Sequence, residues 1–496
     1  MTQNLRKYGL FIGGKETPSQ DGKFYIRENP ATGKPLAEIA EGGAEDIGRA
    51  VKAASQAFPK WSKTPPSERA RILLKIAEKV GEDGQKLAVT NTLETGKPIR
   101  ESIAVETAAV VRTFEYYAGA TTRLNGETIQ ASGTLLSLTL KEPVGVVGHI
   151  IPWNFPLLLA AWKIAPALAA GCTIVSKPAE ATPCGTLELA RMFSDAGLPD
   201  GVFNVVPGAG EVVGQALVEH PDVSKVAFTG STSVGKRIME TASRNLKRVS
   251  LELGGKAPNI VFDDIDMDNC IEANLRGGFF NQGENCTAVT RLLLHETIYD
   301  EFLARYLERV KAIRIGDPMD ESTEMGALIS KEHLETVEGY FETGIKEGGV
   351  VLAGGKRPTD PKLRNGYFFL PTVVGDVRPD HTIACEEIFG PIVAVMPFKT
   401  EEEVIRIAND TIYGLAGGVW TNNIKRAFRV AKAVRAGYIW INTYGGIIPD
   451  TPYGGFKQSG IGKELGGEGL DNYLETKCIN IYLGNKLPRS YGGNQQ

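Results

Sequence analysis

Between residues 144 and 253 the chain alternates short β-branched runs with longer segments patterned like helices. Strands are predicted at VGVVGHI (144–150), TIVSK (173–177), VFNVV (202–206), KVAFT (225–229) and RVSLEL (248–253). Helices are predicted to open near Leu157, Pro183, Gly210 and Thr232, each after a proline, glycine or hydroxyl residue suited to a helix start. This alternation marks a parallel sheet wound by helices, a Rossmann-like unit whose ligand should sit beyond the carboxyl ends of the strands.

From Gly254 to about Ser459 strands and helices mix again, with an amphipathic helix predicted from about Thr297 to Arg314, and this region reads as a second α/β unit. The stretch LNGETIQASGTLLSLTLKE (124–142) reads as an extended excursion, and CINIYL near the C-terminus alternates as a strand. Either could pair with another subunit, since unpaired strand edges otherwise invite uncontrolled association. The last residues, RSYGGNQQ, read as a flexible tail, and no internal repeat is visible. Residues Phe155 to Ser176 are nearly all apolar, but Lys163, Pro156, Pro166 and Gly171 within them predict a buried helix and a strand rather than a membrane span.

A chain of 496 residues exceeds a single core, which stops growing at roughly 250 to 300 residues, so at least two domains are expected. Its 42% apolar and 23% charged residues suit a soluble globular protein. A net charge of −4 offers no basic footprint for nucleic acid, so a small-molecule partner is expected. The six cysteines (172, 184, 270, 286, 385 and 478) lie far apart without a C-x-x-C pair, which suggests neither a disulfide framework nor a metal site. They read as thiols in a reducing, cytoplasmic compartment, and the N-terminal residues carry no long apolar run of a secretory signal.

Two glycine-rich stretches imitate phosphate-binding motifs. Gly208 to Gly214 approximates G-x-G-x-x-G with one residue too many, and the acidic residue wanted at the end of the next strand is missing; a tight strand-to-helix turn is the better reading. Gly230 to Lys236 approximates a P-loop, but Arg237 replaces the Mg²⁺-binding hydroxyl. What remains there is a helix N-terminus at Ser231 to Ser233, whose free N–H groups suit a pyrophosphate or simply a cap.

Seven segments, in order, carry a resemblance: PWNFP (152–156), SKPAE (176–180), FTGSTSVGK (228–236), LELGGK (251–256), FFNQGENCTAVTR (279–291), EEIFGP (386–391) and PYGGFKQSGIGKE (452–464). Together they identify the chain as similar to the NAD(P)-dependent aldehyde dehydrogenase superfamily over nearly its whole length. The resemblance implies an NAD-binding domain over 1–123 and 143–253, a catalytic domain over 254–459, and an oligomerisation arm and C-terminal segment over 124–142 and 460–496. A homotetramer or homodimer would follow.

The family pattern F-x-x-x-G-x-x-C-x-x-x-x-R places Cys286 as nucleophile, where a lone cysteine would otherwise read as a small core residue. By resemblance, Asn154 and the Cys286 backbone N–H stabilise the oxyanion, and Glu252 activates water against the thioester. Lys163 and Glu464 would relay protons. Lys177 and Glu180 fall on the adenosine ribose, Ser231 on the pyrophosphate, and Glu387 with Phe389 at the nicotinamide ribose. Ile150, Pro152, Trp153, Gly210, Gly230 and Leu253 complete the cofactor set. A carboxylate at Glu180 favours NAD, with NADP the alternative. Phe155, Trp162, Asn285, Thr287 and Tyr453 would wall an aromatic tunnel for an aliphatic, aromatic or trimethylammonium aldehyde. Tyr453 stands where betaine aldehyde dehydrogenases are expected to carry tryptophan; Glu284 and Asn285 depart from the commoner residues beside the nucleophile, which bears on the pocket floor and thiol environment and not on Cys286 as nucleophile. The rival readings are CoA acylation, against which Glu252 counts, and a cysteine hydrolase, which needs a histidine that none of the motifs supplies.

Overall fold

The computed structural model describes residues 5–486 and residue 491. The expected tail at 489–496 therefore lies outside the described residues, apart from the exposed Tyr491.

The five predicted strands form as Val146–Ile151, Thr173–Pro178, Phe203–Val205, Val223–Thr229 and Arg248–Glu252, all parallel. In space the third lies beside the second, then the first, the fourth and the fifth. This is the 3-2-1-4-5 order of a doubly wound dinucleotide fold, whose switch point falls between the first and fourth strands. Leu10–Ile12 with Lys15–Thr17 extends one edge and Gly460–Ile461 the other, both antiparallel, giving eight strands.

Helix Pro156–Ala170 follows the first strand, with proline at its first turn and left-handed Gly171 at its end. Every residue in it except Leu158 is buried, which is why its sequence looks membrane-like although it lies between packed layers. Among the described residues no helix is long and apolar enough to cross a membrane. The helix predicted near Gly210 starts as a π-helical turn, Gly210–Gly214, before Gln215–Glu219.

The second sheet has seven strands, in the order Val350–Ala353, Thr372–Gly375, Ile392–Phe398, Val289–His295, Ala257–Val261, Ala416–Trp420 and Tyr438–Ile441. All run parallel except the first, an edge strand. The amphipathic helix predicted over 297–314 is shorter, Tyr299–Lys311, because the chain then turns into a bridge between Ile315 and Met325.

The excursion and the C-terminal strand pair with each other within the chain: Leu474–Tyr482 runs antiparallel to Leu135–Pro143, which pairs with Thr128–Ser132. The nine-residue register satisfies one edge of each long strand within the chain. A further three-stranded sheet, Arg6–Tyr8, Lys34–Ala40 and Phe24–Asn29, was not evident from the sequence.

Candidate active site

The segment joining the two sheets, Leu253 to Lys256, shows why LELGGK needs its glycines. A Cβ on Gly254 would collide with the Glu387 carboxylate, and one on Gly255 with the Cys286 carbonyl. Gly255 N–H donates to Glu387 Oε1 at 2.8 Å, and Arg291, the last residue of the cysteine motif, donates to Lys256 O through Nε and Nη2 at 3.1 and 2.9 Å. The turn thus brings the end of the first sheet, Glu252, to the loop that carries Cys286.

That loop is held in an unusual backbone. Asn281 and Gln282 have φ of 51° and 55°, followed by Gly283 at 72°. Non-glycine residues in the left-handed region cost of order 1 to 3 kcal/mol each and persist only where surroundings over-determine them. Here Asn281 N–H donates to Glu101 Oε2 (3.1 Å), and its carboxamide donates to the carbonyls of Asn154 (3.1 Å) and Glu284 (2.9 Å). Glu284 does not form the pocket floor or face the thiol: it is buried and turned away, its Oε1 accepting from Ile329 N–H at 2.8 Å and its Oε2 from Gln282 at 3.4 Å. Burial pushes its carboxyl well above the usual range. Its departure from the commoner residue therefore anchors the loop.

Asn154 lies between the first strand and helix Pro156–Ala170, with its Nδ2 donating to Glu284 O at 3.1 Å, two residues from Cys286. Its position is fixed from beneath by residues that carry no motif signal. Lys97 Nζ donates to Asn154 O at 2.7 Å and pairs with Glu106. The other Glu106 oxygen accepts the Leu157 and Leu158 N–H groups at 3.0 and 3.1 Å, satisfying free donors at the helix start. A π-helical turn over Ser102–Thr107 carries Glu106.

Cys286 Sγ is 3.4 Å from the Tyr453 hydroxyl. Burial pushes this thiol up to about 12; the Tyr453 hydrogen bond opposes the rise, while the Glu387 and Glu252 carboxylates add to it. Glu252 is buried and neither of its oxygens has a hydrogen-bond partner among the described residues. Burial first and Glu464 second raise its carboxyl well above the ordinary range, partly opposed by Lys163 and Lys463. Lys163 Nζ, buried in the middle of its helix, sits 2.5 Å from Glu464 Oε1 and 2.6 Å from Thr229 Oγ1. Glu464 in turn shares a bridge with Tyr453 through two 2.7 Å backbone bonds.

All five predicted substrate residues, Phe155, Trp162, Asn285, Thr287 and Tyr453, line one cavity of about 210 Å³ that reaches Cys286. Asn285 Oδ1 accepts from Thr287 N and Oγ1 at 3.1 and 3.0 Å. Trp162 and Tyr453 meet edge to face at 5.0 Å, and Phe155 stacks on Phe280 at 5.8 Å. Among the described residues no histidine lines the cavity. Two lining residues that the motifs did not reveal are Arg112 and Arg276; each lies on an ordinary amphipathic helix, where an arginine reads as solvated surface.

The residues expected to hold the cofactor collect at the carboxyl ends of the first sheet. Ile150, Pro152 and Trp153 follow or end the first strand, Lys177 ends the second, and Gly230 and Ser231 follow the fourth. Leu253 is buried against Gly235. Lys177 Nζ lies 3.2 Å from Glu180 Oε2, and Glu180 Oε1 accepts from Gly210 N–H at 2.6 Å. Burial acts to raise the Glu180 carboxyl, but Lys177 and that N–H outweigh it and hold it below the usual value. Gly210 therefore spends its N–H on Glu180 and presents only bare backbone. Ser231 caps helix Thr232–Ser243, accepting from Val234 N–H at 3.4 Å. Glu387, pushed up to about 7 mainly by burial, and Phe389, at φ 59°, lie across from these. Phe389 meets Trp153 edge on at 5.1 Å. An exposed carboxylate beside a strand end, a capped helix start at the switch point and bare glycines fit a dinucleotide.

Residues 17–479 match the family described as the aldehyde dehydrogenase family. The chain belongs to this family. The betaine aldehyde dehydrogenase of Bacillus subtilis is 46% identical over 473 residues, covering 95% of this chain and 96% of that protein. The structure of an aldehyde dehydrogenase from Bacillus cereus in complex with NAD⁺ superposes with a TM-score of 0.95 at 46% identity, covering 97% of each chain. A betaine aldehyde dehydrogenase from Staphylococcus aureus, also in complex with NAD⁺, gives 0.96 at 41% identity, covering 98% of this chain and 97% of that one. The parallel-sheet α/β architecture expected from the sequence is the architecture of this family.

Proposed function

We propose that this aldehyde dehydrogenase oxidises an aldehyde to its carboxylic acid with NAD, through a thiohemiacetal and then a thioester on Cys286. The observation that carries this reading is the Cys286 thiol at the end of the cavity, with the Asn154 carboxamide bonded to the Glu284 carbonyl two residues away and the buried, unpartnered Glu252 near enough to act on the thiol's charge.

Cys286 releases its proton to solvent, and the thiolate sulfur then bonds the aldehyde carbon. The oxyanion then takes hydrogen bonds from Asn154 Nδ2 and the Cys286 N–H; losing one such donor costs about 3 to 4 kcal/mol. Asn154 must exchange its present Glu284 acceptor for that oxyanion. NAD, when bound, accepts the hydride from the substrate carbon. Glu252, which burial makes a stronger proton acceptor than an ordinary carboxylate, then takes a proton from water, the hydroxyl adds to the thioester and the Cys286 sulfur departs. Glu464 and Lys163 lie behind Glu252 as the route by which that proton leaves.

For NAD, Lys177 and Glu180 would hold the adenosine ribose, Ser231 the pyrophosphate, and Glu387 with Phe389 the nicotinamide ribose. Ile150, Pro152, Trp153, Gly210, Gly230 and Leu253 would wall the crevice. The open outer edge of the 474–482 strand and the exposed Ile129, Leu140, Ile479 and Ile481 of the three-stranded sheet support assembly of several copies, a dimer or tetramer. The test is incubation with an aldehyde and NAD without CoA: NADH and free acid in equal amounts support the reading, and a requirement for CoA overturns it.

A further inference from the structure

The cavity that ends at Cys286 is walled mainly by apolar and aromatic side chains, yet among the described residues it contains two cations and no carboxylate. Arg112, on helix Ala108–Thr121, and Arg276, on helix Met267–Phe279, both line it, and neither Asp nor Glu does. Both arginines are exposed, whereas Tyr453 beside the nucleophile is buried, so the guanidiniums belong to the outer part of the cavity. Among the described residues neither forms an ion pair. In the adjoining surface cleft that shares Arg276, by contrast, Arg309 pairs with Glu272 at 2.7 Å and Arg314 with Glu324 at 3.1 Å. Glu101, in the same cleft, is buried and directs its carboxyl to the Asn281 N–H; it feels the Arg276 charge but forms no ion pair with it. Arg276 sits 5.5 Å over the Phe280 ring, a contact that restrains its guanidinium at the cavity wall.

We propose that Arg112 and Arg276 make this cavity select aldehydes bearing a carboxylate at the end remote from the carbonyl. The inference rests on the aldehyde-oxidising reading above. Two guanidiniums on rigid helices offer forked donors matched to a carboxylate, and the apolar walls beyond them suit a hydrocarbon spacer. A trimethylammonium aldehyde would gain from the aromatic rings but meet like charge at the entrance.

The test compares 6-oxohexanoate with its methyl ester, which matches it in reacting group and chain but not in charge. The parent should favour the acid by at least about tenfold in kcat/KM, chiefly through KM. Arg112→Met and Arg276→Met should each shrink that ratio, the Lys variants should restore part of it, and Arg309→Gln should leave it at the parent value. Equal use of acid and ester by the parent, or an unchanged ratio in both Met variants, overturns the proposal while aldehyde oxidation stands. Calorimetric binding of hexanedioate against its monomethyl ester reads the same arginines without turnover. A diacid preference lost in the Met variants, in a protein that oxidises neither aldehyde, would sink the oxidation reading and keep the anion site.

Discussion

Lys163 Nζ lies 2.5 Å from Glu464 Oε1 in the interior, and this pair adjoins Glu252. The cation is matched to one carboxylate, so the second remains unpaired and buried. That arrangement separates the roles of the two acids: Glu464 is held by its partner, and Glu252 keeps the high pKa of a desolvated carboxyl.

Replacing Glu252 by Gln should therefore have two effects. In turnover, NADH should appear in a burst of about one equivalent and then stall, with the acyl mass trapped on Cys286, because thiolate attack precedes the hydrolysis that needs the base. Steady turnover without a trapped acyl group would give Glu252 another role. In stability, its folded pKa lies above the unfolded value, so its favourable contribution is complete below about pH 4.5 and is lost as pH rises through the folded pKa. Glu252→Gln should accordingly raise Tm relative to the parent at about pH 8.5 and change it little near pH 5. A lower Tm at the alkaline pH would show that the ionised carboxylate is stabilised by the fold.

Cys286→Ala should abolish dehydrogenase activity and leave NAD binding in place, measured by calorimetry. Of the remaining cysteines, 172, 184 and 270 are buried and should matter to stability at most, as should 385 and 478. Because burial pushes the Cys286 thiol up to about 12, its alkylation in cofactor-free protein should be slow at neutral pH and keep accelerating above about pH 9. A plateau already reached near neutrality would contradict the raised thiol pKa.

Glu180 accepts from Gly210 N–H and pairs with Lys177 at the end of a strand. A ribose 2′-hydroxyl can donate to such a carboxylate, whereas a 2′-phosphate meets like charge, so NAD should be preferred. Glu180→Thr should shift the kcat/KM ratio toward NADP, with Lys177 free to pair with the added phosphate. Equal use of both cofactors by the parent, or an unchanged ratio in the variant, would show that this carboxylate does not face the ribose.

Lys97→Met leaves the buried Glu106 carboxylate without its cation and Asn154 O with only the Asn281 carboxamide as donor. Breaking one side of a buried pair costs about 3 to 5 kcal/mol. Chemical denaturation should register a loss of that size, and kcat should fall with it as the oxyanion donor loses its seat. A variant as stable as the parent would mean that the pair contributes nothing net.

Strand and helix alternation over 144–253 was legible in the sequence because period, proline and glycine placement are local properties. So was the order of motifs, and with it the family. Helix Pro156–Ala170 could be told from a membrane span by a lysine and two prolines within its own length. What the side chains face was not legible. Lys163 and Glu464 are 301 residues apart, and Lys97 and Asn154 are 57 apart; no periodicity links such positions. Glu284 sits beside the nucleophile in sequence yet points away from it, because the left-handed turn before it and the Ile329 N–H direct its carboxyl into the interior. Arg112 and Arg276 read as surface positions on their helices and become cavity residues only once the two helices border one space. Local pattern and motif determined the elements and the chemistry, whereas packing decided which buried charges are paired, which thiol pKa is raised and which cations remain open to a ligand.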